Sequence, residues 1–121
     1  RFMIAVLSRS RFLADEISLN IAGRKVLSCL SAISEDSTAE SLSWLSGTLS
    51  SSNVFAVFYE SLFFVDPAPL KSLSPSTHFI FISSPGEEDL VEKALSCGAS
   101  AFVQKPFSCP DIPGVLDLVS H

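Results

Sequence analysis

The sequence predicts an α/β domain built on one open parallel sheet, a (βα)5 chain with helices packed on both sheet faces. Three observations lead there. Short apolar runs of strand length alternate with stretches whose apolar residues fall three and four apart, the rhythm of repeated βαβ units. Several runs are apolar at every position, as strands covered on both faces are. The chain has 121 residues, 47% of them hydrophobic and 17% charged, which suits one ordinary core and is the reverse of a disordered composition.

Phe2 to Leu7 is a continuous apolar run and reads as the first strand. Ser10 is placed to cap a helix whose Leu13, Ile17 and Ile21 share one side and which ends at Gly23. Lys25 to Ile33 reads as a second strand, interrupted by serines. Ser37-x-x-Glu40 forms a capping box, and Ala39, Leu42, Leu45 and Leu49 follow at helical spacing. The serine-rich stretch Gly47 to Asn53 is expected to break this second helix, on which Trp44 packs. Asn53 to Tyr59, apolar after its first residue, is the strongest strand.

Asp66-Pro67 reads as a cap followed by proline at the first helical position, opening a short helix to about Leu73. His78 to Ile82 is another buried strand. Ser84-Pro85-Gly86-Glu87 repeats the capping logic, with proline expected at the first helical position of a fourth helix. Leu90, Val91, Ala94 and Leu95 are its expected buried face, and Gly98 closes it. Ala101 to Gln104 is a short fifth strand. Cys109-Pro110-Asp111 starts a last helix with Ile112, Val115, Leu116 and Val119 inward. Five strands and five helices in strict alternation make a flavodoxin-like, doubly wound, three-layer α/β/α domain over residues 1–121. Its site is expected at the carboxyl ends of the strands.

Composition narrows the function. Eight Lys and Arg against thirteen Asp and Glu give a net charge of −5, which argues against a sequence-independent grip on nucleic acid. No apolar run, Val54 to Tyr59 included, approaches the ~20 residues of a spanning helix. Cys29, Cys97 and Cys109 form no CxxC pair and have no histidine cluster beside them. A disulfide framework and a zinc site are therefore not expected, and a reducing cytoplasm fits. His78 and His121 stand apart from any catalytic grouping, and no GxSxG accompanies the many serines. No Gly-rich phosphate loop is present, and no cofactor is implied. The high apolar fraction, with mean hydropathy +0.41, suggests surface covered by a partner. The chain starts on Arg1 and is read as a fragment of a longer protein.

The run from Phe79 to Phe107, FIFISSPGEEDLVEKALSCGASAFVQKPF, resembles the second half of a response-regulator receiver domain of the CheY-like kind. That family's strand-ending Thr or Ser, small residue, Gly-Ala turn, aromatic and Lys-Pro-Phe are matched by Ser83, Ser84, Gly98-Ala99, Phe102 and Lys105-Pro106-Phe107. The 22-residue step from Ser83 to Lys105 agrees with the family spacing. The resemblance also implies a cis bond between Lys105 and Pro106.

The first half departs from the pattern. Where the family places an acidic Mg²⁺-binding pair, this chain has Ser8-Arg9. Where it places the phosphorylated Asp, this chain has Phe58, Tyr59 or Glu60, with Phe58 aligned to the acceptor. Phosphoryl transfer to a carboxylate needs that oxygen nucleophile and a divalent cation to offset the developing charge. Mg²⁺ in turn needs hard oxygen ligands in near-octahedral array. The expectation is a degenerate, non-enzymatic pseudo-receiver without a metal, acting by protein contact in two-component signalling. Its relic pocket is Ser8, Arg9, Phe58, Tyr59, Glu60, Ser83 and Lys105, with Lys105 held by Glu60, Ser83 or strand-end carbonyls. Ser83 and Phe102 occupy the family's switch positions; here Ser83 is expected simply to end its strand and Phe102 to pack in the core.

The resemblance places partner binding or homodimerisation on the face of the fourth helix, fifth strand and fifth helix: Pro85 to Cys97, Ala101 to Gln104, and Pro110 to Ser120. Glu87, Leu90, Val91, Phe102, Lys105, Pro106 and Val115 are its expected contacts. Two alternatives stand beside this. Asp66 is a candidate displaced acceptor in a conventional receiver. Phe58, Tyr59, Phe63 and Phe64 are candidate walls of a pocket for a nucleotide, quinone or flavin.

Overall fold

The computed structural model describes residues 2–8, 15–17, 26–32, 38–106 and 111–120, with backbone alone for residues 2, 26–32, 38 and 39. In chain order the elements are β1 (Phe2–Leu7), α1 (described over 15–17), β2 (Val26–Ala32), α2 (Thr38–Ser51), β3 (Val54–Glu60), α3 (Ala68–Lys71), β4 (His78–Ser83), α4 (Glu88–Ser96), β5 (Ala101–Gln104) and α5 (Asp111–Val119). All strand pairs are parallel and the sheet order is β2-β1-β3-β4-β5. The predicted doubly wound α/β architecture is therefore present. The proposed caps at Ser10 and Ser37 and the ends at Gly23 and Lys25 lie outside the described residues.

Strand alternation sorts the core into two layers. Ile4, Val6, Phe58, Ile80 and Val103 point to one face, against Ile17 of α1 and Ile112, Val115 and Leu116 of α5. Ala5, Leu7, Tyr59, Phe79 and Phe81 point to the other, against Leu45 and Leu49 of α2 and Ala94 of α4. The central strands are buried on both faces, which is why they read as unbroken apolar runs. Trp44 packs at the edge of the second layer, partly buried.

Several element boundaries differ from expectation, each for a local reason. The stretch from Gly47 does not break α2, which continues to Ser51. Its hydroxyls stay within the helix: Ser46, Thr48, Ser50 and Ser51 each donate to the carbonyl four residues back, at 2.7–3.0 Å. β3 is shifted by one residue and ends on Glu60. The helix at Pro67 is a single turn rather than a run to Leu73, and Asp66 caps it by accepting the Ala68 N–H at 2.9 Å.

Pro85 is not in a helix. Residues 84–87 form a turn closed by Glu87 N–H to the Ser84 carbonyl at 3.1 Å, with Gly86 at φ +90°; proline occupies the first corner and glycine the second, as a type II turn favours. The expected reciprocal bond is nevertheless made, since Glu87 Oε1 accepts the Ser84 N–H at 2.7 Å. Of the expected α4 face only Ala94 is buried; Leu90 and Val91 are half-buried and Leu95 is exposed. At the end of α4, Gly98 (φ +118°) donates to the Leu95 carbonyl and Ala99 to the Ala94 carbonyl, the two bonds of a Schellman motif. Among the described residues no helix is long and apolar enough to cross a membrane.

Candidate functional site

The carboxyl ends of β1, β3, β4 and β5 converge on one cluster. Continuing each strand's alternation places Ser8 beyond Ile4 and Val6, Glu60 beyond Phe58, and Lys105 beyond Val103, all on the same side of the sheet. The side chains meet there. Ser8 Oγ donates to Glu60 Oε2 at 2.7 Å, and Lys105 Nζ forms an ion pair with Glu60 Oε1. Ser8 is fully buried, while the Glu60 and Lys105 side chains are 14% and 35% exposed. Ser83 joins through the backbone, its carbonyl accepting the Lys105 N–H at 2.8 Å. The Lys105–Pro106 bond is cis.

Both oxygens of the one carboxylate at the tip of β3 are thus engaged, one by a neutral hydroxyl and one by an ammonium. That arrangement neutralises the negative charge at the strand ends and directs an ordered cation at it. Among the described residues no group of three or more His, Cys, Asp or Glu is placed to hold a metal.

The expected pocket residues divide in two. Ser8, Glu60, Ser83 and Lys105 come together. Phe58 does not stand at the strand tip: it lies one alternation step further down β3 and is fully buried among Val6, Ile80 and Val103. Tyr59 points to the opposite sheet face, where its ring stacks on Phe64 at 4.3 Å and meets Phe79 and Phe81 edge-on or tilted. The two aromatics fill core layers because β3 extends through Glu60, so neither blocks the site. The same packing occupies the space between Tyr59, Phe63 and Phe64 that was a candidate ligand pocket. Asp66 is exposed and caps α3. Arg9 lies outside the described residues.

Of the two switch-position residues, Ser83 is the last residue of β4, as expected, and Phe102 departs from expectation. Ser83 Oγ, buried, donates to the Val103 carbonyl at 3.4 Å. Phe102 is not in the core but 43% exposed, because β5 is an edge strand and its alternation turns residues 102 and 104 away from α5. Phe102 lies between two surface depressions. One, of about 480 Å³, runs along β5 and α5 past Gln104, Asp111, Gly114, Val115 and Leu118. The other, of about 130 Å³, lies between β5 and the start of α4. Leu118 is 68% exposed and Leu95 is 40% exposed, so this side of the molecule leaves three large apolar side chains uncovered.

Sequence reasoning missed Glu87 as a fixed group. Besides the Ser84 N–H, its carboxylate accepts Ser61 Oγ at 3.0 Å and ties the β3 loop to the β4 loop. The Pro-Gly turn, which folds Glu87 back over Ser84, was the signal available. It also missed Gly114 and Leu118, a notch beside a protruding leucine on α5.

No family model matches the chain, and no curated protein matches it. Solved structures do. The N-terminal signal receiver domain of a two-component response regulator from Bacteroides fragilis superposes with TM-score 0.78 at 17% identity, over 98% of this chain and 96% of that one. The beryllofluoride-activated NtrC4 receiver domain dimer gives 0.76 at 18% identity, over 97% and 94%. NtrX from Brucella abortus in complex with ADP gives 0.72 at 19% identity, over 96% of this chain and 25% of NtrX, so the chain spans about a quarter of that protein. The architecture is that of receiver domains.

Proposed function

We propose that this chain is a receiver-like module of a two-component-type regulatory system, acting by protein–protein contact without being phosphorylated. The observation that carries the proposal is the Glu60 carboxylate at the tip of β3, engaged by Ser8 Oγ and paired with Lys105. In the receiver pattern the tip of that strand offers an aspartate to the phosphodonor, acids after the first strand hold Mg²⁺, and the lysine meets the phosphoryl group. Here a hydroxyl stands after β1, and the lysine is already paired with an internal carboxylate. Such a pair imitates the charge balance of an occupied site with no chemistry needed to reach it.

The output surface in this proposal is the face of α4, β5 and α5, on which Phe102, Leu95 and Leu118 are exposed. Apolar side chains uncovered together beside a groove are characteristic of interaction sites. The partner is a second copy or another protein; the module is cytoplasmic, is not an enzyme and makes no direct contact with nucleic acid. Calorimetric titration with MgCl₂ tests the strand-end reading. The expected result is no saturable binding at millimolar Mg²⁺, since Mg²⁺ requires several oxygen ligands that this site does not supply. Stoichiometric binding would overturn it.

A further inference from the structure

The smaller depression on the α4–β5–α5 face has a chemistry of its own. Its lining includes Ser84, Glu87, Glu88, Val91, Phe102 and Gln104. Val91 is half-buried and Phe102 presents a 43% exposed ring, giving the hollow apolar sides. Two carboxylates stand at its edge. Glu87 is held in position by the Ser84 N–H at 2.7 Å and the Ser61 hydroxyl at 3.0 Å. One bond to each oxygen leaves a carboxylate with lone pairs still open. Glu88 is exposed and opens α4. The cation nearest in the strand-end cluster, Lys105, is paired with Glu60.

Size decides between occupants. Small-molecule and cofactor pockets typically run to ~300–1,000 Å³, and about 130 Å³ is too small for one. It is room for a single side chain. An apolar wall ending in an oriented carboxylate, with an aromatic face alongside, suits a residue with a hydrocarbon stem and a flat cationic head. Guanidinium stacks on aromatic rings and pairs with carboxylate in a two-pronged fashion, whereas ammonium does neither as well.

We infer that this hollow is the anchor site for an arginine side chain of a partner protein, stacked on Phe102 and paired with Glu87 and Glu88. The inference rests on the proposed docking role of this face and gives that partner its chemistry. The net charge of −5 favours approach of a basic partner segment to the molecule as a whole, and Glu88 and Asp89 in the first turn of α4 place acids beside the hollow.

The test is amide chemical-shift perturbation in the isotope-labelled domain, titrated with N-acetyl-arginine amide and, in parallel, N-acetyl-lysine amide. Arginine is expected to shift the resonances of Ser84, Glu87, Glu88, Phe102 and Gln104 saturably. It is expected to bind about two- to fivefold tighter than lysine, the difference made by stacking on an exposed ring. Phe102→Leu is expected to remove the preference for arginine, and Glu88→Gln to weaken both probes. Equal shifts from both amides, or shifts spread over Glu40, Asp89, Glu92 and Asp117, would overturn the inference. If arginine fails while Leu118→Asp still changes the association state of the domain, the arginine site is wrong and the docking face stands. If neither matters, the docking face itself is wrong.

Discussion

At the tip of β3 one side chain determines what the site can do. A glutamate there is reached by both Ser8 and Lys105, and in the proposed function it serves as an internal counter-ion rather than as a nucleophile. Glu60 is largely buried and Lys105 about one-third exposed, so their interaction should lie between that of exposed and buried pairs. A double-mutant cycle on Glu60→Ala and Lys105→Ala, read by urea denaturation, is expected to give a coupling of about 1–2 kcal/mol. Additive effects would show that the pair does not stabilise the fold. Tyr59 supplies a second test, because it is the chain's single tyrosine and its hydroxyl is buried without a hydrogen-bond partner among the described residues. Burial raises its phenol well above the ordinary value near 10, with Cys97 and Asp66 adding to the effect. A raised folded-state pKa means stability fully present below pH 10 and lost as pH climbs above it. Phenolate absorbance should therefore appear only with unfolding. Tyr59→Phe should keep or raise neutral-pH stability, by up to about 1 kcal/mol, since no bond is lost, and should flatten the alkaline decline. A clear loss of stability in Tyr59→Phe would mean that the hydroxyl has a partner.

Elements were legible from the sequence to different degrees, and the reasons are local. The strands were the clearest, because burial on both faces forces unbroken apolar runs such as Val54 to Tyr59. Helix α5 was equally plain, with Ile112, Val115 and Leu116 inward as spaced. Helix α2 was cut short because serine clusters usually mark loops, yet hydroxyls bonding back to the preceding turn let the helix continue. That reading is testable at Gly47, which is exposed in α2 with nothing within 4 Å of an added Cβ. Gly47→Ala should stabilise by about 0.5–1 kcal/mol in thermal or chemical denaturation; no gain would indicate that the helix ends earlier. Gly98 is the contrast. At φ +118° a side chain is strained, and Gly98→Ala should cost about 1–2 kcal/mol. The edge strand β5 was recognised, but its edge position was not, and that position is what exposes Phe102. Pattern alone reports alternation along a strand and not which strand lies outermost.

On the scale of the whole molecule, the second half of the chain showed the fold through spacing: Ser83, Gly98-Ala99 and Lys105-Pro106 are in place, the last with its cis bond. The site was only half legible. Ser8 and Lys105 could be named from their positions after β1 and β5, whereas the choice among Phe58, Tyr59 and Glu60 required knowing where β3 ends. Two residues along β3, one full alternation step, separate the core Phe58 from the carboxylate that faces the lysine. The docking face should respond to Leu118→Asp and Phe102→Ala with altered self-association or partner binding in sedimentation and binding assays; unchanged behaviour in both would remove that face from the account. The most direct measurement concerns the proposed loss of acceptor chemistry. The domain is incubated with Mg²⁺ and acetyl phosphate, and its intact mass is recorded. The account predicts the unmodified mass at every time point, and an added phosphoryl group, at Asp66 or any other carboxylate, would contradict it.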